Sequence, residues 1–186
     1  MDSAKTGRLS RVAFWLVPAS DPRLSLQRLI NQLSRRYGSP AFLPHMTIWS
    51  CERPQHSEIA GLLARLPGKT GVITLKTLGL DGADCLKRAF YLRLESNRPL
   101  QEFVERIQGL TSKWSTAYRL DPHLSLLYQV LPKSERLKLM DEFSLQPAEV
   151  CFDELRVVAI PRIISTPADL SGWQTLAIHR VGRDRF

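Results

Sequence analysis

Two short strings in this chain nearly repeat each other, and they constrain its fold more than any other feature. They are PHMTI at residues 44–48 and PHLSL at residues 122–126. Each string has the pattern of a β-strand, in which residues i and i+2 point to the same face. We therefore expect His45 to lie beside Thr47, and His123 to lie beside Ser125.

The offset of 78 residues between the two strings (123 − 45) also relates other segments of the chain. It pairs the strand-like residues 12–16 with 90–94, and the helical stripe of Leu26 and Leu29 with Val104 and Ile107. It also pairs the prolines of the two strings (44 and 122) and those at positions 54 and 132. This shared order predicts two copies of a strand–helix–strand–helix–strand unit.

Local signals predict the individual elements. Asp21 and Pro22 suit a helix cap and first turn, and Gly38 suits the end of that helix. A second helix follows Asn97, and shorter helices follow the prolines at 54 and 132. Strands are predicted near residues 11–17, 43–50, 71–80, 87–95, 122–129, 149–160 and 173–181, with a loop at 161–172.

These elements predict an α+β fold with two pseudo-symmetric lobes. Each lobe lays helices on the outer face of a mainly antiparallel sheet. A pseudo-two-fold axis would place the two His strings on opposite sides of a central groove, where small-molecule sites tend to form. We expect residues 1–186 to be a single domain, with residues 1–10 as a flexible tail.

Composition limits the setting in which this chain works. The 186 residues contain no apolar stretch long enough to span a membrane, and residues 1–11 lack the apolar core of a secretory signal. Three cysteines without CxxC spacing argue against a disulfide framework, so we expect a cytoplasmic protein. We also expect it to be a monomer. The net charge of +8 favours an anionic partner.

Two His-x-(Thr/Ser) strings in a repeat indicate acid–base chemistry on a phosphate ester. Opening a cyclic phosphodiester with water requires a base that takes a proton from water and an acid that protonates the leaving ribose oxygen. An imidazole, with an ordinary pKa of about 6.5, can serve either role. We predict that His45 and His123 are this pair, and that the Thr47 and Ser125 hydroxyls donate to phosphate oxygens.

A zinc site is the main chemical alternative. A catalytic zinc ion normally has three protein ligands, and Asp121 is the obvious candidate to join His45 and His123. Because Asp121 precedes a proline, it is better suited to a turn, so we predict neither a metal nor another cofactor. We expect His56, at a helix start, and His179, with no hydroxyl two residues away, to be structural.

At these residues the chain resembles the 2H phosphoesterase superfamily, which has two His-x-(Thr/Ser) signatures. Within it, the chain is most similar to the cyclic phosphodiesterases of the plant and yeast type. The similarity lies in FWLVP at 14–18, PHMT at 44–47, PHLSLLY at 122–128 and GWQTLA at 172–177. The chain departs from the family at residues 49–51, which bears on the shape of the groove's rim.

The resemblance implies a bilobal, metal-independent enzyme that opens cyclic phosphates on ribose. Its expected substrates are nucleoside 2′,3′-cyclic phosphates or ADP-ribose 1″,2″-cyclic phosphate. It assigns the two histidines and their hydroxyl neighbours the roles given above, and it places Trp15 and Tyr128 in the substrate pocket. Strict alternation would turn Tyr128 away, unless the strand ends or bulges there. Arg162, which follows the strand predicted to end at residue 160, is a candidate phosphate ligand, but its place in a predicted loop favours a solvated arginine.

Two other functions remain open at this point. One is an RNA-processing activity on terminal 2′,3′-cyclic phosphates, as in the relatives called 2′-5′ RNA ligases. The other is a module that binds nucleotides or RNA without catalysis. We favour a small anionic cyclic phosphate as the partner, with RNA ends as the alternative, because no aromatic-rich and Arg-rich RNA platform stands out.

Overall fold

The computed structural model describes residues 9–52, 56–66, 71–114, 116–143 and 147–181. The strands in these ranges are β1 (Leu9–Pro18), β2 (Met46–Glu52), β3 (Ile73–Asp81), β4 (Phe90–Leu94), β5 (His123–Leu127), β6 (Glu149–Pro161) and β7 (Gln174–Arg180). The α-helices are α1 (Ser20–Tyr37), α2 (His56–Ala64), α3 (Arg98–Leu110) and α4 (Lys133–Glu142). Short 3₁₀ helices occupy Leu86–Arg88 and Pro167–Gly172.

The order of these elements confirms the predicted repeat. The first copy is β1-α1-β2-α2-β3, the second is β4-α3-β5-α4-β6, and β7 follows. Each predicted strand is present, with ends that differ from the prediction by at most three residues. The starts of β2 and β4 shift by three residues, and β2 therefore begins at Met46 and leaves His45 as the residue just before the strand.

The start of α1 differs from the prediction. Asp21 does not cap this helix, because the helix begins at Ser20 and Ala19 occupies the cap position. The amide of Ala19 donates to the carbonyl of Cys151 in β6 (2.8 Å), so the chain enters the helix directly from the sheet. Asp21 lies in the first turn, where its negative charge interacts favourably with the positive end of the helix dipole. Gly38 ends the helix in the left-handed conformation (φ 65°), as predicted.

The strands form an antiparallel sheet with an internal two-fold pattern. Its order is β2-β1-β6-β3-β4-β5, and β7 pairs with β6 outside this path. Exchange of the first copy of the repeat for the second converts β1-β2 into β4-β5 and leaves the central β3-β6 pair unchanged. The predicted α+β architecture, with a mainly antiparallel sheet, is confirmed.

The correspondence between β1 and β4 is shifted by two residues from the predicted one. Trp15 pairs with Thr47, whereas Tyr91, rather than Arg93, pairs with Ser125. A register irregularity also occurs just before Trp15 in one half and just before Tyr91 in the other. The strands are therefore related by an offset of 76 (91 − 15), because the connection from strand to His string is two residues longer in the second copy.

β1 is buried on both faces, and each face has a different role. Val12, Phe14 and Leu16 belong to the main hydrophobic core, together with the apolar faces of α1 and α3. Ala13 and Trp15 alternate with them and pack with Val158 in a small cluster on the opposite face. Because Trp15 is paired with Thr47, this second face of β1 is the one that carries the first His string.

Within the described residues, no helix has both the length and the apolar character needed to cross a membrane. The thiols of Cys51, Cys85 and Cys151 are free, and only that of Cys51 is buried.

Candidate active site

His45 and His123 are held in the same way, each by the backbone carbonyl two residues earlier in the chain. The Nδ1 atom of His45 lies 2.7 Å from the Leu43 oxygen, and the Nδ1 atom of His123 lies 2.7 Å from the Asp121 oxygen. Because a carbonyl oxygen can only accept, each Nδ1 carries a hydrogen and donates it. In the neutral ring, Nε2 then holds the lone pair, so both rings can accept a proton at Nε2.

Both rings line one groove of about 250 Å³, which receives side chains from both copies of the repeat. Thr47, Trp15 and Tyr128 line the same groove. The two imidazoles are also close enough to interact electrostatically. A positive charge on His123 lowers the pKa of His45. The structure thus brings together five of the six residues predicted for the site.

Burial lowers the pKa of both imidazoles to about 4. For His45, loss of solvation is the largest cause, and the bond to the Leu43 carbonyl opposes it. For His123, loss of solvation again comes first, and the positive charge of Arg88 lowers the pKa further. Both rings are therefore neutral at pH 7 in the absence of a ligand. A phosphate ester anion bound between them would raise both pKa values, because it stabilises the imidazolium form.

The two predicted phosphate-binding hydroxyls lie in different surroundings. Thr47 is half-buried and faces the groove. Ser125 is only 4% exposed and is not among the groove-lining residues. Its hydroxyl donates to the carbonyl of Lys87 (3.0 Å) and also contacts the hydroxyl of Tyr128. To reach a phosphate, the Ser125 hydroxyl must give up its bond to Lys87.

An aromatic wall surrounds His45. Trp15 stacks on the imidazole, with ring centroids 3.7 Å apart and planes inclined by 20°. Trp173 approaches edge-on, at 4.9 Å from Trp15 and 5.5 Å from His45, and Tyr128 lies 5.7 Å from Trp173. Tyr128 can reach the groove because β5 ends at Leu127, so alternation no longer sets its direction. These rings exclude water from His45 and account for its loss of solvation.

His123 has a smaller aromatic neighbour, which the two-residue shift makes equivalent to Trp15. The ring of Tyr91 meets the His123 imidazole edge-on at 5.3 Å. The Tyr91 hydroxyl donates to the carboxylate of Asp81 (3.1 Å), which fixes the ring. Each histidine is therefore packed against an aromatic side chain from the neighbouring strand.

Positive charge dominates the rim of the groove. Its basic residues are Arg11, Lys87, Arg88, Arg119 and Arg162. Asp121 is the one acidic residue among those that line it, and its carboxylate is paired with Arg88. Arg162, the candidate from sequence, is exposed at this rim.

Asp121 is close to His123 but already paired. Its carboxylate oxygen lies 3.9 Å from Nδ1 of His123, on the side of the ring that the backbone carbonyl holds. In the part of the chain that the structure describes, no three His, Cys, Asp or Glu residues group to hold a metal ion. His179 lies in β7 and does not line the groove, whereas the side chain of His56 lies outside the described residues.

Sequence reasoning missed several residues of this site. Tyr118 lines the groove and donates its hydroxyl to the Thr47 carbonyl (2.6 Å), although no motif marks it. Burial raises the pKa of Tyr118 to about 12, so it remains a hydrogen-bond donor. Tyr91 could have been found from the repeat with the correct offset. Trp173 belongs to a string quoted above, but its place in the groove depends on the path of the preceding loop.

Comparison with known proteins identifies the family and the fold of the chain. The model of the family described as cyclic phosphodiesterase-like protein matches residues 10–181. TT0787 of Thermus thermophilus has a TM-score of 0.60 at 12% identity, over 94% of this chain and 100% of its own. Escherichia coli LigT complexed with 3′-AMP has a TM-score of 0.59 at 14% identity, over 94% and 99%. No curated protein sequence matches the chain.

At such low identities, the solved structures show a common fold. The family model, in contrast, spans nearly all of the chain, including both His strings and the string around Trp173. The chain therefore belongs to the cyclic phosphodiesterase-like protein family, within the 2H phosphoesterase superfamily that its paired His strings predict.

Proposed function

We propose that this protein hydrolyses cyclic phosphodiesters on ribose to phosphomonoesters, with His45 and His123 as the acid–base pair. The observation that supports this most strongly is the matched geometry of the two rings. Each donates Nδ1–H to a carbonyl, and each is left with Nε2 for a ligand in the same groove. Membership of a phosphoesterase family supports the same chemistry.

The proposed step transfers two protons. One imidazole, entering neutral, takes a proton from water at Nε2 while the water oxygen forms a new bond to phosphorus. The other, entering charged, gives its Nε2 proton to the ribose oxygen as the bond from that oxygen to phosphorus breaks. The product carries a phosphomonoester and a free hydroxyl, and exchange of protons with solvent restores both rings. The step requires neither a metal nor another cofactor.

Hydrogen-bond donors and cations of the groove would stabilise the charge that develops on the phosphate. Thr47 faces the groove and can donate to a non-bridging oxygen, and the basic rim supplies positive charge. Ser125 can add a second donor once its hydroxyl leaves the Lys87 carbonyl. Trp15 already covers one face of His45, so its contact with substrate would come from its remaining surface.

The test is turnover of 2′,3′-cyclic AMP in the presence of EDTA. Replacement of either catalytic histidine by asparagine keeps a donor near the Nδ1 position but removes Nε2. We expect His45→Asn and His123→Asn each to lower kcat by about 10²–10⁴-fold. His179→Asn is the matched control, because His179 lies in β7 away from the groove. Loss of activity in EDTA, or near-normal activity of either groove variant, would contradict the proposal.

An RNA-end activity is the second candidate, and the basic rim of the groove favours it. Escherichia coli LigT, which shares the fold, forms complexes with 3′-AMP, ATP and NADP⁺, and these support a ligand of nucleotide size. An RNA substrate would show a steep loss of affinity with salt, because many phosphates are neutralised. A mononucleotide would show a shallow dependence of affinity on salt.

The third alternative is a module that binds nucleotides without catalysis. Binding of cyclic phosphates without turnover would indicate this function.

A further inference from the structure

Two arginines lie at one end of the groove, away from the imidazoles. Arg11 is in β1, and it pairs in register with Ile160 of β6. Arg162 follows the end of β6, and both arginines line the groove. Arg11, Ala13 and Trp15 share one face of β1, whose register with β6 is regular over these residues. At about 3.3 Å per residue, the Cα atom of Arg11 is about 13 Å from that of Trp15.

The surface between the arginines and His45 is apolar. Ala13, Trp15 and Val158 form its buried base, and Ile160 and Trp173 pack against them. Trp173 reaches the edge of both Trp15 and His45. An uncharged ring system can lie on such a surface, whereas a phosphate cannot be satisfied there.

The guanidinium groups of Arg11 and Arg162 have no direct polar partner among the described residues. Neither guanidinium forms an ion pair or a hydrogen bond with a described residue. Glu52 stands opposite Arg11 in the register of β2, but no ion pair joins them. Asp121, the acidic residue of the groove lining, is paired with Arg88.

We propose that Arg11 and Arg162 bind a second phosphate group on the ligand whose cyclic phosphate lies between His45 and His123. The nucleoside would lie on the apolar surface between the two charged ends. Two guanidinium groups suit this role because their planar donors match phosphate oxygens. The ligand class is a ribose cyclic phosphate that carries another phosphate on its 5′ side. The cyclic-phosphate half of this statement rests on the proposed function, whereas the arginine site can be tested by binding alone.

The first experiment measures binding without turnover. The intrinsic tryptophan fluorescence, to which Trp15 and Trp173 of the groove contribute, is followed during titration with 3′-AMP and with adenosine 3′,5′-bisphosphate. We expect the wild-type protein to bind the bisphosphate about tenfold more tightly or better, since each ligand hydrogen bond to a charged group is a strong one. In Arg11→Ala/Arg162→Ala the ratio of the two dissociation constants should fall towards one. Arg35→Ala/Arg106→Ala, which removes two exposed charges on α1 and α3, should keep the wild-type ratio.

The second experiment measures turnover and identifies the source of the second phosphate. Adenosine 2′,3′-cyclic phosphate is compared with its 5′-phosphorylated form and with a diadenylate that ends in a cyclic phosphate. A preference for the 5′-phosphorylated mononucleotide indicates a small molecule, and a preference for the diadenylate indicates an RNA end. In both cases Arg11→Ala/Arg162→Ala should abolish the preference.

Two results would overturn the proposal. One is a wild-type protein that binds 3′-AMP and the bisphosphate equally well, and the other is a double variant that keeps the full preference. A protein that turns over none of the three substrates contradicts the proposed function instead. In that case the fluorescence ratio still decides whether the arginine site exists.

Discussion

Thr47 and Ser125 occupy matching positions in the two His strings, but their hydroxyl groups have different partners. Thr47 faces the groove, whereas Ser125 is buried and bonded to the Lys87 carbonyl. We therefore predict that Thr47→Val lowers kcat by about a hundredfold, since a donor to the developing charge is lost. Ser125→Ala should lower kcat less than tenfold, but should cost about 0.5–1.5 kcal/mol of folding free energy, because the hydrogen bond from the buried Ser125 hydroxyl to the Lys87 carbonyl is lost. Equal losses of kcat would contradict this ranking.

The lowered pKa values of His45 and His123 predict an unusual dependence of rate on pH. The reactive form has one neutral and one charged ring, and kcat/KM reports the free protein. Because both pKa values are about 4, this form becomes scarcer as the pH rises above 4. We expect kcat/KM to fall about tenfold per pH unit between pH 5 and 8.

The pH profile of kcat reports the enzyme–substrate complex, so we expect it to be displaced from the pH profile of kcat/KM. A bound phosphate anion stabilises the charged imidazole and raises the pKa, so kcat should reach its maximum at a higher pH than kcat/KM. Initial rates over a range of substrate concentrations from pH 4 to 8 separate the two parameters. Profiles that coincide, or a flat kcat/KM over this range, would argue against paired acid–base roles.

At the scale of elements, the sequence predicted the order and type of the strands and helices well. Periodic apolar positions and the Asn97 cap, whose side chain accepts from the Leu100 amide (3.1 Å), are local signals. The correspondence between β1 and β4 was wrong by two residues because connection lengths differ between the copies. The cap of α1 was wrong because a backbone bond from Ala19 to β6 sets where that helix begins. Both errors concern tertiary constraints that local patterns do not contain.

The segment between β3 and β4 positions Lys87 and Arg88 at the groove. Gly82, at the start of this segment, packs closely against the Ala89 backbone and the Arg136 side chain. A Cβ atom at Gly82 would lie 2.7 Å from the Ala89 oxygen and 2.9 Å from Cδ of Arg136. We predict that Gly82→Ala lowers the free energy of unfolding by about 1–3 kcal/mol, because backbone must move to relieve the overlap.

Gly109 near the end of α3 provides the matched control. A Cβ atom there has nothing within 4 Å, so Gly109→Ala should raise the free energy of unfolding by about 0.5–1 kcal/mol through helix propensity. Urea denaturation of both variants measures the two changes. A neutral Gly82→Ala would show that this segment adapts freely and does not hold the basic residues in place.

At the scale of the whole molecule, the groove results from the two-fold order of the sheet. β3 and β6 pair at its centre, and the two His strings lie at β2 and β5, the strands at the two ends of this order. The position of His45 and His123 in one groove was predictable, because it follows from the repeat. The rim was not, because Tyr118, Arg88 and Trp173 reach the groove from loops and a 3₁₀ helix that lack a periodic pattern.

The most direct test of the account is whether both Nε2 atoms bind one phosphate. We propose to follow the ¹⁵N resonances of the imidazoles by NMR while 3′-AMP is added at constant pH. The Nε2 signals of His45 and His123 should shift together and give a single dissociation constant, while both Nδ1 signals keep the shift of a hydrogen-bonded N–H. A response from only one of the two rings, or two separate dissociation constants, would contradict the central claim.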